Sequence, residues 1–238
     1  MHALFTLLAL LTTVYSFAAA PIFHAVVAQR WIDMFEEYTP NEERELMLGT
    51  LFPDIRYLAK LPRKATHEQG ITLKLIKETK DPFLKGMRIH AYVDVVRLNY
   101  LKTITIEDHL KSYEGDNIFF LKMVEDEILY RQGSKKQFQD IADYFNTIVQ
   151  QEIDFGIAPE ILADWHTSHY QYFADGPQNL FHALEKAHLP FGGVPWIKIK
   201  SSNLAMQTFV ENPLFLDYIK GILAEFETLF AEFHKSES

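Results

Sequence analysis

A histidine and an aspartate lie four residues apart in the apolar segment GMRIHAYVDVV, residues 86–96. Positions i and i+4 stack on one face of a helix, so we expect His90 and Asp94 to share a largely buried face. A buried carboxylate without a partner is costly. Asp94 therefore needs a partner, and the candidates are His90, a third side chain or a metal ion.

Three further side chains in the first hundred residues place imidazole or carboxylate groups beside apolar residues or turns. They are His24 in PIFHAVVAQRW, Asp54 in LGTLFPDIRY and His67 in KATHEQG. Imidazole and carboxylate ligands suit zinc, and a catalytic zinc has a small set of them plus water. A single helical histidine is more often a hydrogen-bonded core or surface residue, so only the five residues together indicate a metal site.

Two of these residues depend on short elements near the start of the chain. Apolar spacing predicts a helix over 22–38 that carries His24, and a second helix over 41–51. Pro53 follows the second helix and favours an extended turn that presents Asp54 from a loop.

The other three depend on two later helix starts. The sequence THEQ fits a capping box, with Thr66 at the cap and His67 in the first helical turn. Asp81, followed by proline, opens the helix that carries His90 and Asp94.

The rest of the chain keeps the helical period, without an internal repeat or clear β alternation. A Pro/Gly-rich loop is predicted over 189–196. We interpret His166 and His169 as part of an aromatic-rich helix packing at the surface. The sequence therefore predicts an all-α fold and a single compact multi-helix domain over 19–238. The further helices are expected near 117–131, 135–155, 159–174, 178–188 and 213–234.

Composition limits the classes of function. The 238 residues are 48% hydrophobic and 14% aromatic, which is typical of a globular protein with a sizeable core. A net charge of −9 argues against nonspecific binding to duplex nucleic acid or to an anionic membrane. The absence of cysteine excludes a disulfide framework, a thiolate zinc site and a cysteine nucleophile.

Residues 1–18 are typical of a secretory signal peptide. The stretch Ala3–Ala20 is uncharged and apolar and ends in small residues. Cleavage that leaves Ala19 first would place Ser16 and Ala18 before the cut. We therefore expect a secreted or periplasmic protein, and the alternative is an uncleaved membrane anchor.

The order of these residues resembles the zinc-dependent phospholipase C family. That family includes the N-terminal domain of glycosylphosphatidylinositol-specific phospholipase D, and it shares its all-helical fold with fungal single-strand nucleases. The shared pattern spans about residues 19–100: an N-terminal histidine, G-x-x-F-P-D, T-H and G-x-x-x-H-x-x-x-D. It comprises His24, Gly49, Phe52, Pro53, Asp54, Thr66, His67, Gly86, His90 and Asp94.

The resemblance implies a first zinc site and the group that acts beside it. That zinc would be held by Asp54, His67, His90 and Asp94. A metal-activated water would be the nucleophile, and Asp54 would be the catalytic residue that orients it or accepts its proton.

The resemblance also implies a second zinc. Its ligands would be Ala19, through its free amine and carbonyl after cleavage, together with His24 and Asp94. Asp94 would then bridge two cations, which would explain a carboxylate in an apolar segment.

The family's third zinc is where the sequence departs. No histidine follows Asp94 closely, and Lys122 and Asp126 stand where a later helix would supply ligands. We therefore expect two zinc ions and interpret Lys122 and Asp126 as substrate-binding residues, with Lys122 as a point charge for a phosphate oxygen. The alternative for both is an exposed charged helix face.

The resemblance thus implies an exported phosphodiester hydrolase acting on a phospholipid or another phosphodiester, with transient contact with a membrane surface. A single-strand nuclease is one alternative, but such an enzyme needs a basic groove, and the net negative charge of the chain argues against one. A non-catalytic zinc-binding interaction protein that keeps the fold is another; the missing third site favours it and the complete first set of ligands opposes it. A metal-free helical protein with unrelated histidines is the third.

Overall fold

Local capping residues explain where the helices begin. The computed structural model describes residues 19–35, 38–104, 106, 117–180, 182 and 206–237. One of its helices begins at Pro40. The Thr39 hydroxyl accepts a hydrogen bond from the Glu42 backbone N–H, and the Glu42 carboxylate accepts one from the Thr39 N–H. At the long central helix, the Asp81 carboxylate accepts from the Leu84 N–H at 2.7 Å, as the sequence predicts.

The described residues form helices, turns and irregular segments, with no strand among them, and the expectation of an all-helical single domain is confirmed. Two short 3-10 helices lie at Phe52–Ile55 and Arg63–Ala65. The α-helices in chain order are α1 Pro21–Phe35, α2 Pro40–Leu51, α3 Arg56–Ala59, α4 Leu73–Glu78, α5 Pro82–Thr103, α6 Asn117–Gln132, α7 Lys135–Tyr144, α8 Gln150–Asp154, α9 Pro159–Asp175 and α10 Pro213–Glu237.

Two predicted turns differ in the structure. Pro53 does not force an extended turn: it lies in the first turn of a 3-10 helix, where its missing N–H costs nothing, and Asp54 extends from that helix. The capping box at Thr66 is also wrong. Thr66 ends the preceding 3-10 helix and His67 lies in an irregular segment, because α4 begins only after its own cap, Thr72.

The helix predicted over 135–155 is two helices, α7 and α8, with a break at 145–149. The carbonyl of Phe145 is hydrogen-bonded to His166 of α9 at 2.8 Å, so a contact between distant segments holds the break open. Of the helix expected near 178–188, residues 177–180 and 182 are helical. The predicted leader and the loop over 189–196 lie outside the described residues.

The crossing of α2 and α5 positions the candidate site, and it is the most extensive contact between two described helices. Each helix has a glycine at the crossing. A Cβ at Gly49 would collide with the carbonyl of Phe83, and a Cβ at Gly86 would collide with the carbonyl of Leu46. Two glycines of the sequence motifs are therefore needed for close backbone approach.

Helix α1 lies in the core against this pair of helices and also contacts α6 and α10. Its Phe23 and Trp31 are fully buried, and their rings pack edge-on against Phe226 and Phe230 of α10. Burial of these aromatic rings fixes the rotation of α1, so His24 faces α5. No described helix is both long enough and apolar enough to span a bilayer.

Candidate metal centre

Four segments bring together the five side chains among the six predicted ligands, the sixth being the backbone of Ala19. His90 and Asp94 lie one turn apart on α5, and His24 reaches them from α1. Asp54 comes from the 3-10 helix after α2, and His67 from the irregular segment after Arg63–Ala65. Two groups have ligand atoms within 4.8 Å of one another: His24, His90 and Asp94, and Asp54, His67 and His90.

The two carboxylate oxygens of Asp94 face different partners. Oδ1 accepts a hydrogen bond from the backbone N–H of Ala19 at 3.1 Å and lies 3.5 Å from Nε2 of His24. Oδ2 lies 3.6 Å from Nε2 of His67 and 3.8 Å from Nε2 of His90. Asp94 therefore faces residues of both ligand sets that the resemblance implies, whereas the two groups with mutually close ligand atoms have His90 in common.

The ring of His90 is oriented for ligation by its other nitrogen. Nδ1 lies 2.9 Å from the carbonyl oxygen of Thr50, which can only accept, so Nδ1 carries the proton and Nε2 offers a lone pair. Nε2 of His67 lies 3.1 Å from Nε2 of His90. Two nitrogens on one tetrahedral zinc would be about 3.3 Å apart, given bonds of about 2.0–2.1 Å, so the two rings fit a shared ion.

Unsatisfied atoms support the same interpretation. His24 is 1% exposed, and within the described part of the chain neither of its nitrogens has a hydrogen-bond partner. Its ring stacks on that of His90, with centroids 3.8 Å apart and planes 10° from parallel. Oδ1 of Asp54 is likewise buried without a partner among these residues and lies 4.0 Å from Nε2 of His90. Unpaired buried polar atoms are rare, so the donor set fits a metal ion.

Burial keeps the imidazoles in the form that ligates. It lowers the pKa of His90 to about 4 and also lowers the pKa of His67, so both rings are neutral near pH 7. Burial opposes ionisation of Asp94, but the neighbouring rings of His90, His24 and His67 hold its pKa well below the usual range. The cluster therefore presents the neutral imidazoles of His67 and His90 and the ionised carboxylate of Asp94.

Two cationic side chains also reach this cluster. Arg63 donates to Oδ2 of Asp94 at 2.8 Å. Lys122 on α6 is partly buried, and burial is the largest effect on its pKa, which it lowers. The negative charges of Asp54 and Asp94 act in the opposite direction and raise the pKa. Both carboxylates of the cluster therefore have a cation nearby in the protein itself.

Asp126 has a structural function in this arrangement. It is fully buried, and its carboxylate accepts from the backbone N–H groups of Ile22 and Phe23, both at 2.8 Å, and from the Tyr172 hydroxyl at 2.9 Å. By accepting from the two backbone N–H groups, the Asp126 carboxylate caps the first turn of α1. Burial raises the pKa of Asp126 to about 7 against the effect of the three donors. The exposed charged face considered for Asp126 is wrong, and its contact with substrate stays a prediction.

Sequence reasoning missed two contributors to the site. Arg63 lies in a short segment without periodicity, so nothing in the sequence pairs it with Asp94. The carbonyl of Thr50 orients His90 only because the Gly49–Gly86 crossing places it there. The spacing of the two motif glycines was the one available signal.

A second buried cluster lies on α9, where a surface helix was expected. His166 is 5% exposed, and its Nε2 lies 3.0 Å from both oxygens of the fully buried Glu152. His169 is 7% exposed, and burial lowers its pKa to about 4. The surface interpretation of these two histidines is wrong, because both are buried: His166 is hydrogen-bonded to the distant Phe145 and Glu152, whereas Nδ1 of His169 is bonded to the Trp165 carbonyl of its own helix.

Comparison with known proteins found no matching family, no matching curated protein and no matching solved structure.

Proposed function

We propose that the protein is a metal-dependent phosphodiester hydrolase of the phospholipase C type, with the fold of that family. The observation that carries the proposal is the convergence of His67 and His90 at 3.1 Å beside Asp94. The orphaned nitrogens of His24 support a second ion. The order of these residues along the chain, which resembles the family, supports zinc as the metal.

The first group of residues would hold a zinc ion and activate a water molecule for hydrolysis. Zinc held by Asp54, His67, His90 and Asp94 would supply Lewis acidity and lower the pKa of a water molecule. Asp54, whose Oδ1 has no hydrogen-bond partner among the described residues, would orient that water or accept its proton.

A second group of residues fixes the ligands and offers charge to the substrate. His24 and Ala19, with Asp94, would hold the second ion. Thr50 keeps the His90 ring fixed, so no reorganisation is needed during the reaction. Lys122 places an ammonium near Asp54 and Asp94, where it can bind a phosphate oxygen.

A cleft beside His67 gives the substrate space. Its volume is about 240 Å³, and its wall combines apolar side chains with Lys64 and with the ion pair of Arg88 and Glu68. That mixture suits a phosphodiester with an apolar portion, which favours a lipid over a nucleic acid. The lining comprises Lys64, Ala65, Thr66, His67, Glu68, Leu84, Met87, Arg88 and Phe155.

A non-catalytic protein is the second candidate, and one observation favours it. Arg63 and Lys122 already lie near the two carboxylates of the cluster, Asp54 and Asp94. Internal cations weaken the attraction of such a site for a metal ion. In a non-catalytic protein that keeps the fold and binds partners, these two internal cations would be enough to neutralise the carboxylates.

Hydrolysis assays distinguish the two candidates. The zinc-loaded protein should cleave bis(p-nitrophenyl) phosphate and the headgroup of phosphatidylcholine vesicles, and a chelator should stop both reactions. Asp54→Asn should lower kcat by about 10²-fold because it removes the proton acceptor. Asp140→Asn, on the exposed face of α7, is the control and should change nothing. Zinc binding without hydrolysis of either substrate would favour the binding protein.

A further inference from the structure

Arg63 contacts the cluster from the solvent side. It lies in the 3-10 helix Arg63–Ala65, and its side chain is 46% exposed, whereas the Asp94 side chain is 4% exposed. The guanidinium bonds Oδ2, the same oxygen that faces Nε2 of His67 and His90. A half-exposed cation and a group of metal ligands therefore share one carboxylate oxygen.

Arg63 and a metal ion bound at this site would repel each other electrostatically. A buried carboxylate such as Asp94 needs a positive partner, and either Arg63 or a divalent ion can meet that need. Arg63 would repel an ion placed between Oδ2 and the two histidines, and its half-exposed ion pair is weak enough to exchange.

The surroundings favour an anion as the next partner of the guanidinium. The segment 56–65, RYLAKLPRKA, contains four cationic residues and no acid, in a chain of net charge −9. Lys64 of this segment lines the cleft beside His67. The planar fork of an arginine matches two oxygens of a phosphate.

We propose that Arg63 is an exchangeable counter-ion. It neutralises Asp94 in the metal-free protein, and metal binding displaces it from Oδ2 so that it binds a phosphate oxygen in the adjoining cleft. Metal and phosphate therefore bind with positive coupling that passes through Arg63. This inference rests on the proposed metal site, but it does not require catalysis.

Calorimetric titration of the full-length protein tests this exchange, with zinc and then inorganic phosphate as probes. Arg63→Gln should bind zinc roughly fivefold more tightly than the wild type, because a competing cation is gone. The zinc-loaded variant should bind phosphate at least about fivefold more weakly. Arg63→Lys should keep the zinc affinity near that of the wild type but bind phosphate more weakly, because it retains the charge without the fork.

Arg131→Gln is the matched control. Arg131 is 37% exposed and pairs at 2.7 Å with the buried Glu127. This ion pair resembles that of Arg63 with Asp94, but Glu127 is not among the cluster's ligands. This variant should leave both affinities unchanged. Thermal melting of each variant shows that it has folded.

Equal zinc affinity in the wild type and Arg63→Gln would overturn the exchange while leaving the metal site intact. Weaker zinc binding in a folded Arg63→Gln would also overturn it and make Arg63 a support for Asp94. Failure of every variant to bind zinc would reject the metal site itself, and the exchange with it.

Discussion

Asp94 is the residue on which the candidate site depends most. Its Oδ1 faces Ala19 and His24, and its Oδ2 faces His67 and His90. Removal of the carboxylate would leave both sets without their common acceptor.

Residue type and an apolar or turn context identified the five clustered side chains as candidates, and the resemblance to a family implied that they share a metal centre, because only His90 and Asp94 are related by helical spacing. The contact of Arg63 with Asp94 could not be predicted, since a surface arginine in an irregular segment looks the same whichever acid it pairs with.

Lys122 provides a test at the same scale. Lys122→Met should raise KM for a phosphodiester, a loss of about 1–3 kcal/mol for a charged hydrogen bond to substrate, while zinc content stays unchanged. Steady-state kinetics and elemental analysis measure the two effects. Lys136→Met, at an exposed lysine of α7 that pairs with Asp140, is the control. Unchanged kinetics in Lys122→Met would show that this ammonium does not contact substrate.

At the scale of elements, the crossing of α2 and α5 creates the site. The apolar period predicted both helices, and Asp81 predicted the start of α5; the structure alone shows that Gly49 and Gly86, known from the sequence only as motif residues, lie where the helices meet. The irregular segment around His67 and the break between α7 and α8 could not be predicted, because contacts with distant segments decide them. The break is held by His166 through the carbonyl of Phe145.

The Gly86→Ala substitution tests the crossing. A Cβ there would collide with backbone of α2, which cannot move as a flexible side chain could. We expect a loss of about 1–3 kcal/mol in the free energy of unfolding and weaker zinc binding, because Thr50 would shift away from His90. Denaturant unfolding and zinc titration measure both. Val95→Ala, a 56% exposed residue of α5, is the control and should change neither by much. A stable Gly86→Ala with unchanged zinc affinity would contradict the close crossing.

The buried pair of His166 on α9 and Glu152 on α8 makes the free energy of unfolding depend on pH. Both nitrogens of His166 face acceptors, and Glu152 and the Phe145 carbonyl together raise its pKa although burial lowers it. A folded-state pKa above 6.5 contributes stability that is complete below pH 6.5 and is lost as pH rises through the raised value.

Denaturant unfolding at about pH 6 and about pH 9 measures this contribution. The wild type should lose more stability over that interval than His166→Gln does. The exposed residue His182 supplies the control, and His182→Gln should follow the wild type. Equal pH dependence in the wild type and His166→Gln would show that the pair does not titrate.

For the whole molecule, a metal ion would tie together α1, the 3-10 helix after α2, the segment around His67 and α5. Binding energy would then add to folding stability, because the ligands converge only in the folded state. Composition predicted a globular protein and the helical period predicted an all-helical chain, and the structure confirms the all-helical class. The export signal stays a prediction.

Zinc content tests the central claim most directly. The protein, purified without chelator and examined by elemental analysis, should carry at least about one zinc per chain, and two if both ligand sets are filled. Asp94→Ala should lose zinc and melt at a lower temperature, whereas Asp140→Ala should keep both properties. A wild type with less than about half a metal ion per chain, or Asp94→Ala that retains its zinc and its melting temperature, would contradict the claim.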